Sequence, residues 1–298
     1  MMKIKKNHLI NLLLFLCSII ITIYLVEILL YFFNPNLNKY ENNKLTKFQY
    51  IRLIEKNNKN VVSSIPPNET INNYYPLAGI KNSLNINCNE NGYWSSYYSD
   101  RFGFNNNDEI WNKKILDNIF IGDSFTLGSC VNSNENFVYH FDKLSNSTSL
   151  NLGMMGTGPL KQLAILNEYG LLVPSKRIFW VFFEGNDFRE LEEELQIKIL
   201  KNYLNNNYKQ GLSKISDKIN NLLKIKYNKA INKEKIIENE KVKFNYVIFL
   251  KLTEIRLLIE KLGYIQLIKR KDYYSDNKKD YESILKIFKS FLSPNNTN

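Results

Sequence analysis

Leu-Asp-Asn-Ile-Phe-Ile-Gly-Asp-Ser-Phe-Thr-Leu-Gly, residues 116–128, holds a short apolar run that ends in glycine and passes at once into a tight turn. Asn118–Gly122 has the length and composition of a buried strand, and helical character resumes by Phe137–Leu144. A serine in such a turn stands exposed at the strand's end. Its amide sits at the start of a helix, where N–H groups lack intrahelical partners and can stabilise a developing oxyanion. The pattern repeats downstream, where Thr148–Leu152 reads as a second strand, followed by a glycine-rich loop and a helix from about Leu160 to Tyr169. Arg177–Glu184, RIFWVFFE, is continuously apolar and reads as a central parallel strand buried on both faces. Strands alternating with helices in this way predict a parallel sheet with helices on both sides.

Each of the three strands ends in a segment suited to chemistry, at the carboxyl edge where open parallel sheets place their sites. The first is Gly122-Asp123-Ser124-Phe125-Thr126-Leu127-Gly128. The second is Asn151-Leu152-Gly153-Met154-Met155-Gly156-Thr157-Gly158-Pro159, whose glycines let backbone N–H groups approach a ligand. The third is Glu184-Gly185-Asn186-Asp187, with a carboxamide donor after the apolar strand. Gly-Asp-Ser or Gly-Asn-Asp alone reads as an ordinary turn; the three in this order, about 30 residues apart, form a joint signal.

Together they resemble the SGNH (GDSL-type) hydrolase family over residues 116–190. The resemblance implies a three-layer α/β/α sandwich. It places Ser124 on the nucleophile that attacks an ester carbonyl, with the Gly156 amide and the Asn186 side chain joining the serine amide in holding the oxyanion. Cys88, Cys130 and the Asn-Gly hairpin near them are similar to features of a membrane-anchored bacterial branch. The substrate class that follows is an ester, with acylated envelope carbohydrate the expectation from family and location.

The family's acid–base half is missing. A serine hydroxyl needs a base, which the family supplies from a late Asp-x-x-His block, and no such block is present. Only two histidines exist. His8 belongs to the N-terminal apolar segment, and His140 lies roughly 24 Å beyond Ser124 if the intervening chain is one helix at 1.5 Å per residue. Strands beyond the third are not evident either, Tyr264–Ile268 being a poor candidate. The sheet is therefore expected to be incomplete and the domain C-terminally truncated, inactive as it stands. The rival reading is a non-catalytic protein that binds a glycan or a partner. A third has another base, or a partner's histidine, sustain catalysis.

Leu9–Phe33 is apolar almost without break. About 25 helical residues cover roughly 37 Å, more than the ~30 Å hydrocarbon core, and Asn34-Pro35 ends the run. No small-residue cleavage site follows, so the segment reads as a retained single-pass anchor and not a signal peptide. Glu27 is its one charge, best read as reaching the interface or staying protonated. Lys3, Lys5 and Lys6 favour a cytoplasmic N-terminus in a bacterial inner membrane, with the body periplasmic or extracellular. Cys88 and Cys130 suit an oxidising compartment as a bridge, and equally read as two buried thiols.

Residues 34–73 read as a polar linker with a short helix around Phe48–Glu55. Residues 74–115 read as a lead-in whose Leu84–Cys88 and Tyr93–Tyr98 flank the hairpin turn Asn89-Glu90-Asn91-Gly92. Residues 116–298 form the main domain, with a helical insertion from about 189: Arg189–Tyr203, Leu212–Lys229, Phe244–Leu262 and Asp280–Leu292. The formal net charge of +11 comes from scattered lysines in a chain rich in residues with A/T-rich codons, so no nucleic-acid partner is expected. No metal cluster, phosphate loop or nucleotide fingerprint is found, and no cofactor is expected.

Overall fold

The computed structural model describes residues 2–33, 45–58, 60–64, 68–90, 92–205 and 207–241, with Ile255 and Ile287. Two units divide the chain: Met1–Lys44 with Glu234–Asp276, and Leu45–Lys233 with Asn277–Asn298.

In the first unit, helix α1 spans Met2–Phe33. Leu14, Phe15, Leu16, Ile19, Ile20, Ile21 and Leu25 are all exposed, and these positions fall on every side of the helix rather than along one stripe. Ser18 Oγ donates to the carbonyl of Phe15 at 2.7 Å and Thr22 Oγ1 to that of Ser18 at 2.8 Å, so both hydroxyls are satisfied within the helix itself. Glu27 is buried, and one carboxylate oxygen accepts the amide of Ile255 at 2.9 Å. Among the described residues no helix is long and apolar enough to cross a membrane. The side chains of α1 are described without interruption only over 14–29, about 24 Å of helix.

The second unit opens with α2 (Lys47–Glu55), started by a capping box in which Thr46 and Gln49 exchange side-chain and backbone hydrogen bonds. Strands β1 (Val61–Ser63), β2 (Leu84–Ile86) and β3 (Ser96–Tyr98) form a small sheet, β1 parallel and β3 antiparallel to β2. Ile51 of α2 packs with Val61 and Ile86. The segment read as a linker thus contributes a helix and an edge strand to a packed unit. Its polar, asparagine-rich composition hid two apolar side chains, Ile51 and Val61, that pack with Ile86 of β2.

Then come β4 (Leu116–Gly122), α3 (Ser124–Leu127), α4 (Phe137–Ser145), β5 (Ser149–Asn151), α5 (Pro159–Glu168), β6 (Ser175–Val181), α6 (Asp187–Leu195), α7 (Lys198–Lys201) and α8 (Ser216–Lys241). This is a mixed α/β unit with a three-stranded parallel sheet in the order β5-β4-β6. Alternation along β4 divides its side chains between two faces. Ile119 and Ile121 enter the main core with Leu150, Leu160, Leu163, Ile165 and Tyr169. Phe120 stacks on Phe179, with Phe137 and Phe141 of α4 edge-on to it.

Two readings are corrected here. The apolar run 177–184 reads as the central strand, but β4 is central and β6 lies at an edge of the described sheet. Lys176, Arg177 and Ile178 are exposed. The ladder ends at Val181 because its partner ends at Gly122, which leaves Phe182–Glu184 outside the strand. The helix read over Arg189–Tyr203 is broken between Leu195 and Lys198, where the N–H groups of Gln196 and Ile197 turn back to Glu193 and Glu194. Phe244–Leu262, Tyr264–Ile268 and Asp280–Leu292 lie outside the described residues, apart from Ile255 and Ile287. The latter is buried in the main core.

Candidate active site

The parallel register sets Gly122 beside Val181 and Phe120 beside Asn151, so the three glycine-containing segments leave the sheet at one edge. Gly122 is required by space: a Cβ there would lie 2.1 Å from Thr126 Oγ1 and 2.9 Å from the carbonyl oxygen of Val181. Asp123 caps the following turn, its carboxylate accepting the Phe125 amide at 2.9 Å. Ser124, half-buried, is the first residue of α3, which closes after one turn at Gly128 with φ 80°.

The second segment is fastened to the first by backbone-scale contacts. Asn151 Nδ2 donates to the Thr126 carbonyl at 2.7 Å, and Asn151 Oδ1 accepts the Gly153 amide at 2.9 Å. A Cβ on Gly153 would fall 2.2 Å from the Leu127 nitrogen. Thr157 Oγ1 donates to the carbonyls of Met154 and Gly122. Gly156 sits half-buried in this loop at φ 67°, and its carbonyl accepts Lys161 Nζ at 2.8 Å.

The third segment is held by Asp187, whose carboxylate accepts the Phe183 amide at 2.7 Å. Asn186 Nδ2 donates to Glu190 Oε1 at 2.9 Å. The side chains of Asn186 and Ser124 both stand beside the Asp123 carboxylate and favour its ionised form, against the larger upward push of burial on its pKa. Ser124 and Asn186 thus meet around one buried carboxylate. Gly156 lies on the adjoining loop.

The electrostatics were not legible from sequence. Asp123, Asp187, Glu190 and Glu194 crowd the edge of the site. Burial, then the negative charges of Asp123, Glu190 and Glu194, pushes Asp187 up to about 7. Burial pushes Glu194 up to about 7 as well, even though Lys161 and the amides of Gly158, Leu160 and Lys161 oppose it. Glu190 is raised by burial. Asp123 Oδ2, Asn186 Oδ1, Asp187 Oδ1 and Glu190 Oε2 are buried without a hydrogen-bond partner among the described residues. A helix carrying Asp187, Glu190 and Glu194 at i, i+3, i+7 offered a signal, one that also fits a solvated face.

His140 lies on α4, exposed, with its ring against Tyr139. The single helix assumed between it and Ser124 does not exist: α3 ends at Gly128, and a loop carrying Cys130 at φ 65° precedes α4. The helical distance therefore does not apply.

Cys88 and Cys130 are joined as a disulfide, Cα atoms 4.9 Å apart, which links the β2–β3 hairpin to the loop after α3. Ser96 N to Asn132 Oδ1 at 3.2 Å and Tyr93 OH to Glu135 Oε2 at 2.8 Å add to that link. Cys88, Glu90 and Cys130 have metal-ligand spacing, but the bond occupies both sulfurs. Asp100–Asn106 is a brace. The buried Asp100 carboxylate accepts the amides of Phe102, Gly103 and Phe104, Asn106 Nδ2 and Trp111 Nε1. Asn105 then donates to the Leu127 carbonyl at 2.9 Å. A cavity of about 640 Å³ lies between residues 98–108 and 133–142, and Ser124 is not among the residues that line it; the amides of Asn105, Asn106, Asn136 and Asn151 that line it are already engaged at both ends.

No protein family matches the chain, and no curated protein and no solved structure matches it.

Proposed function

We propose that this chain is a membrane-anchored, exported protein of SGNH-hydrolase type that presents Ser124, the Gly156 amide and Asn186 to an ester. The observation that carries this reading is the convergence of the Gly122–Gly128, Asn151–Pro159 and Glu184–Asp187 segments at the carboxyl ends of three adjacent parallel strands, with Ser124 and Asn186 around Asp123. Helices α4 and α5 packed on opposite faces of β4 support a three-layer α/β/α arrangement. In this reading Ser124 Oγ adds to the ester carbonyl, and its proton must pass to a base as the alkoxide leaves. The serine amide, the Gly156 amide and Asn186 Nδ2 take the oxyanion. Acylated envelope carbohydrate is the substrate that the resemblance and the location suggest.

The anchor rests on α1, continuous over 32 residues, about 48 Å, and apolar from Leu9. A bilayer is the medium in which a helix apolar on every side, with its hydroxyls satisfied internally, is stable. Lys3, Lys5 and Lys6 orient its N-terminus to the cytoplasm. The Cys88–Cys130 bond supports an oxidising compartment for the body.

One observation favours a second reading. Of the two histidines only His140 belongs to the second unit, where it is exposed on α4 with its ring against Tyr139. A chain that binds acylated glycan without turning it over fits that arrangement. A fluorophosphonate probe on the full chain in nanodiscs separates the two. Labelling that disappears in Ser124→Ala supports the nucleophile; an unlabelled wild-type chain sinks turnover and leaves the binding role. Weak labelling is expected.

A further inference from the structure

From the aromatic pair beside Ser124 we infer that the ester this site takes carries a short, uncharged acyl group, seated on the rings of Phe125 and Phe183. The inference rests on the ester-binding reading above and names the chemistry of the acyl half. Phe125 follows Ser124 directly, and Phe183 stands three residues before Asn186. Their rings meet at 4.8 Å, tilted by 53°, yet they remain 58% and 41% exposed. Two large apolar side chains, one from α3 and one from the loop after β6, touching each other and open to solvent, are unusual unless something covers them. Phe182, next along the chain, turns away into contacts with Trp180 and Phe188. Gly185 makes room for the Phe183 ring, since a Cβ there would fall 2.5 Å from Phe183 Cζ.

The occupant's charge follows from the neighbours. Asp123, Asp187, Glu190 and Glu194 lie at the same edge. Among the described residues that touch them, Lys161 is a cation already engaged by the Gly156 carbonyl at 2.8 Å and by Glu194 at 3.7 Å. At pH 8, where Asp187 and Glu194 are largely ionised, an acyl group with its own carboxylate would meet like charge beside the ledge that Lys161, and Arg189 near Glu190, only partly offset. An uncharged alkyl chain gains ring contact and meets no such penalty. The two rings form an open ledge and not a tunnel, so the gain ends after a few carbons.

The test measures binding apart from turnover. Acetyl, butyryl, hexanoyl and succinyl esters of a neutral coumarin reporter are titrated by fluorescence anisotropy against full-length Ser124→Ala chain in nanodiscs. Affinity is expected to rise about fourfold for each two carbons from acetyl to hexanoyl, half the dependence of a fully buried chain, with succinyl roughly tenfold weaker than butyryl. Phe125→Ala and Phe183→Ala should each remove most of the length dependence. Phe125→Leu should keep part of it, and Leu144→Ala, an exposed apolar site on α4, should leave it intact. Circular dichroism checks that each variant folds. Length-independent binding, no binding, or binding indifferent to both phenylalanines overturns the inference. Wild-type chain that resists phosphonate labelling while Ser124→Ala binds with the expected length dependence would instead overturn the nucleophile and leave the ledge standing.

Discussion

Asn106 faces Asn151 through a reciprocal pair of hydrogen bonds, its Oδ1 accepting the Asn151 amide at 2.8 Å and its Nδ2 donating to the Asn151 carbonyl at 2.9 Å. The same Nδ2 reaches Asp100 Oδ2 at 2.8 Å. One carboxamide therefore stands in for a neighbouring strand at the end of β5 and ties the Asp100 brace to the loop that carries Gly156. Asn106→Ala would leave a buried amide, a carbonyl and part of a buried carboxylate without partners. At about 1–3 kcal/mol for each unsatisfied group, a loss on the order of 3 kcal/mol is expected in urea denaturation. Asn134→Ala, at an exposed position nearby, should stay within about 0.5 kcal/mol. Equal effects for the two would remove Asn106 from this role.

The raised carboxylates make stability fall with rising pH. Asp187 and Glu194 move from ordinary carboxylate values to about 7 on folding. Between about pH 4.5 and 7 the folded chain holds protons that the unfolded chain has released. Their contribution is fully present below the unfolded values and is lost as pH passes through 7. A decrease on the order of 3 kcal/mol from pH 5 to pH 8 is expected. Asp187→Asn keeps an acceptor for the Phe183 amide and removes one buried charge, so it should flatten the curve and exceed wild type at pH 8. The opposing pairs, Asp117 with Lys176 and Asp108 with Arg101, hold their carboxyl groups low and act in a more acidic window. Stability that climbs from pH 5 to 8 would contradict this account.

Much of the site was legible because it is written locally. A strand that ends in glycine where a Cβ would meet Thr126, and an aspartate that caps the Phe125 amide, are demands met within a few residues. What sequence could not reveal depends on residues far apart in the chain. RIFWVFFE looks like a central strand because both faces are apolar, but the strand order that leaves β6 at an edge is set by what pairs beside it. The carboxylate cluster escaped notice because Glu194 becomes buried and Glu190 half-buried only when α6 packs on the loop around Gly158, as the 2.7 Å approach of a Gly158 Cβ to Glu190 Cβ indicates. The brace from Asp100 to Asn106 was equally silent, since five donors converging on one carboxylate leave no periodic trace.

The Cys88–Cys130 bond closes a loop over a separation of 42 residues. In the chain-entropy account that constraint is worth up to ~4 kcal/mol, and 2–4 kcal/mol is typical. Cys88→Ser with Cys130→Ser should lower stability by that amount, and reductant should lower wild type to the double variant's midpoint without affecting the variant. The loop after α3 should also become more accessible to protease, because the hairpin would then be held to it only by contacts such as Tyr93 with Glu135. A double variant as stable as wild type would mean the bond is dispensable.

Among the described residues β6 is an edge strand of its sheet, and this supplies the last prediction. Edge strands with apolar side chains template strand addition, and Ile178 is 40% exposed in the middle of β6. The full chain, kept in nanodiscs so that α1 does not associate by itself, should show concentration-dependent association of discs in sedimentation velocity. Ile178→Lys places a charge on the edge, a common way of blocking such pairing. It should abolish that association while changing stability by no more than about 1 kcal/mol, since the side chain is not deeply buried. Persistent association in this variant would locate the sticky surface elsewhere, with the exposed rings of Phe125 and Phe183 the next to replace.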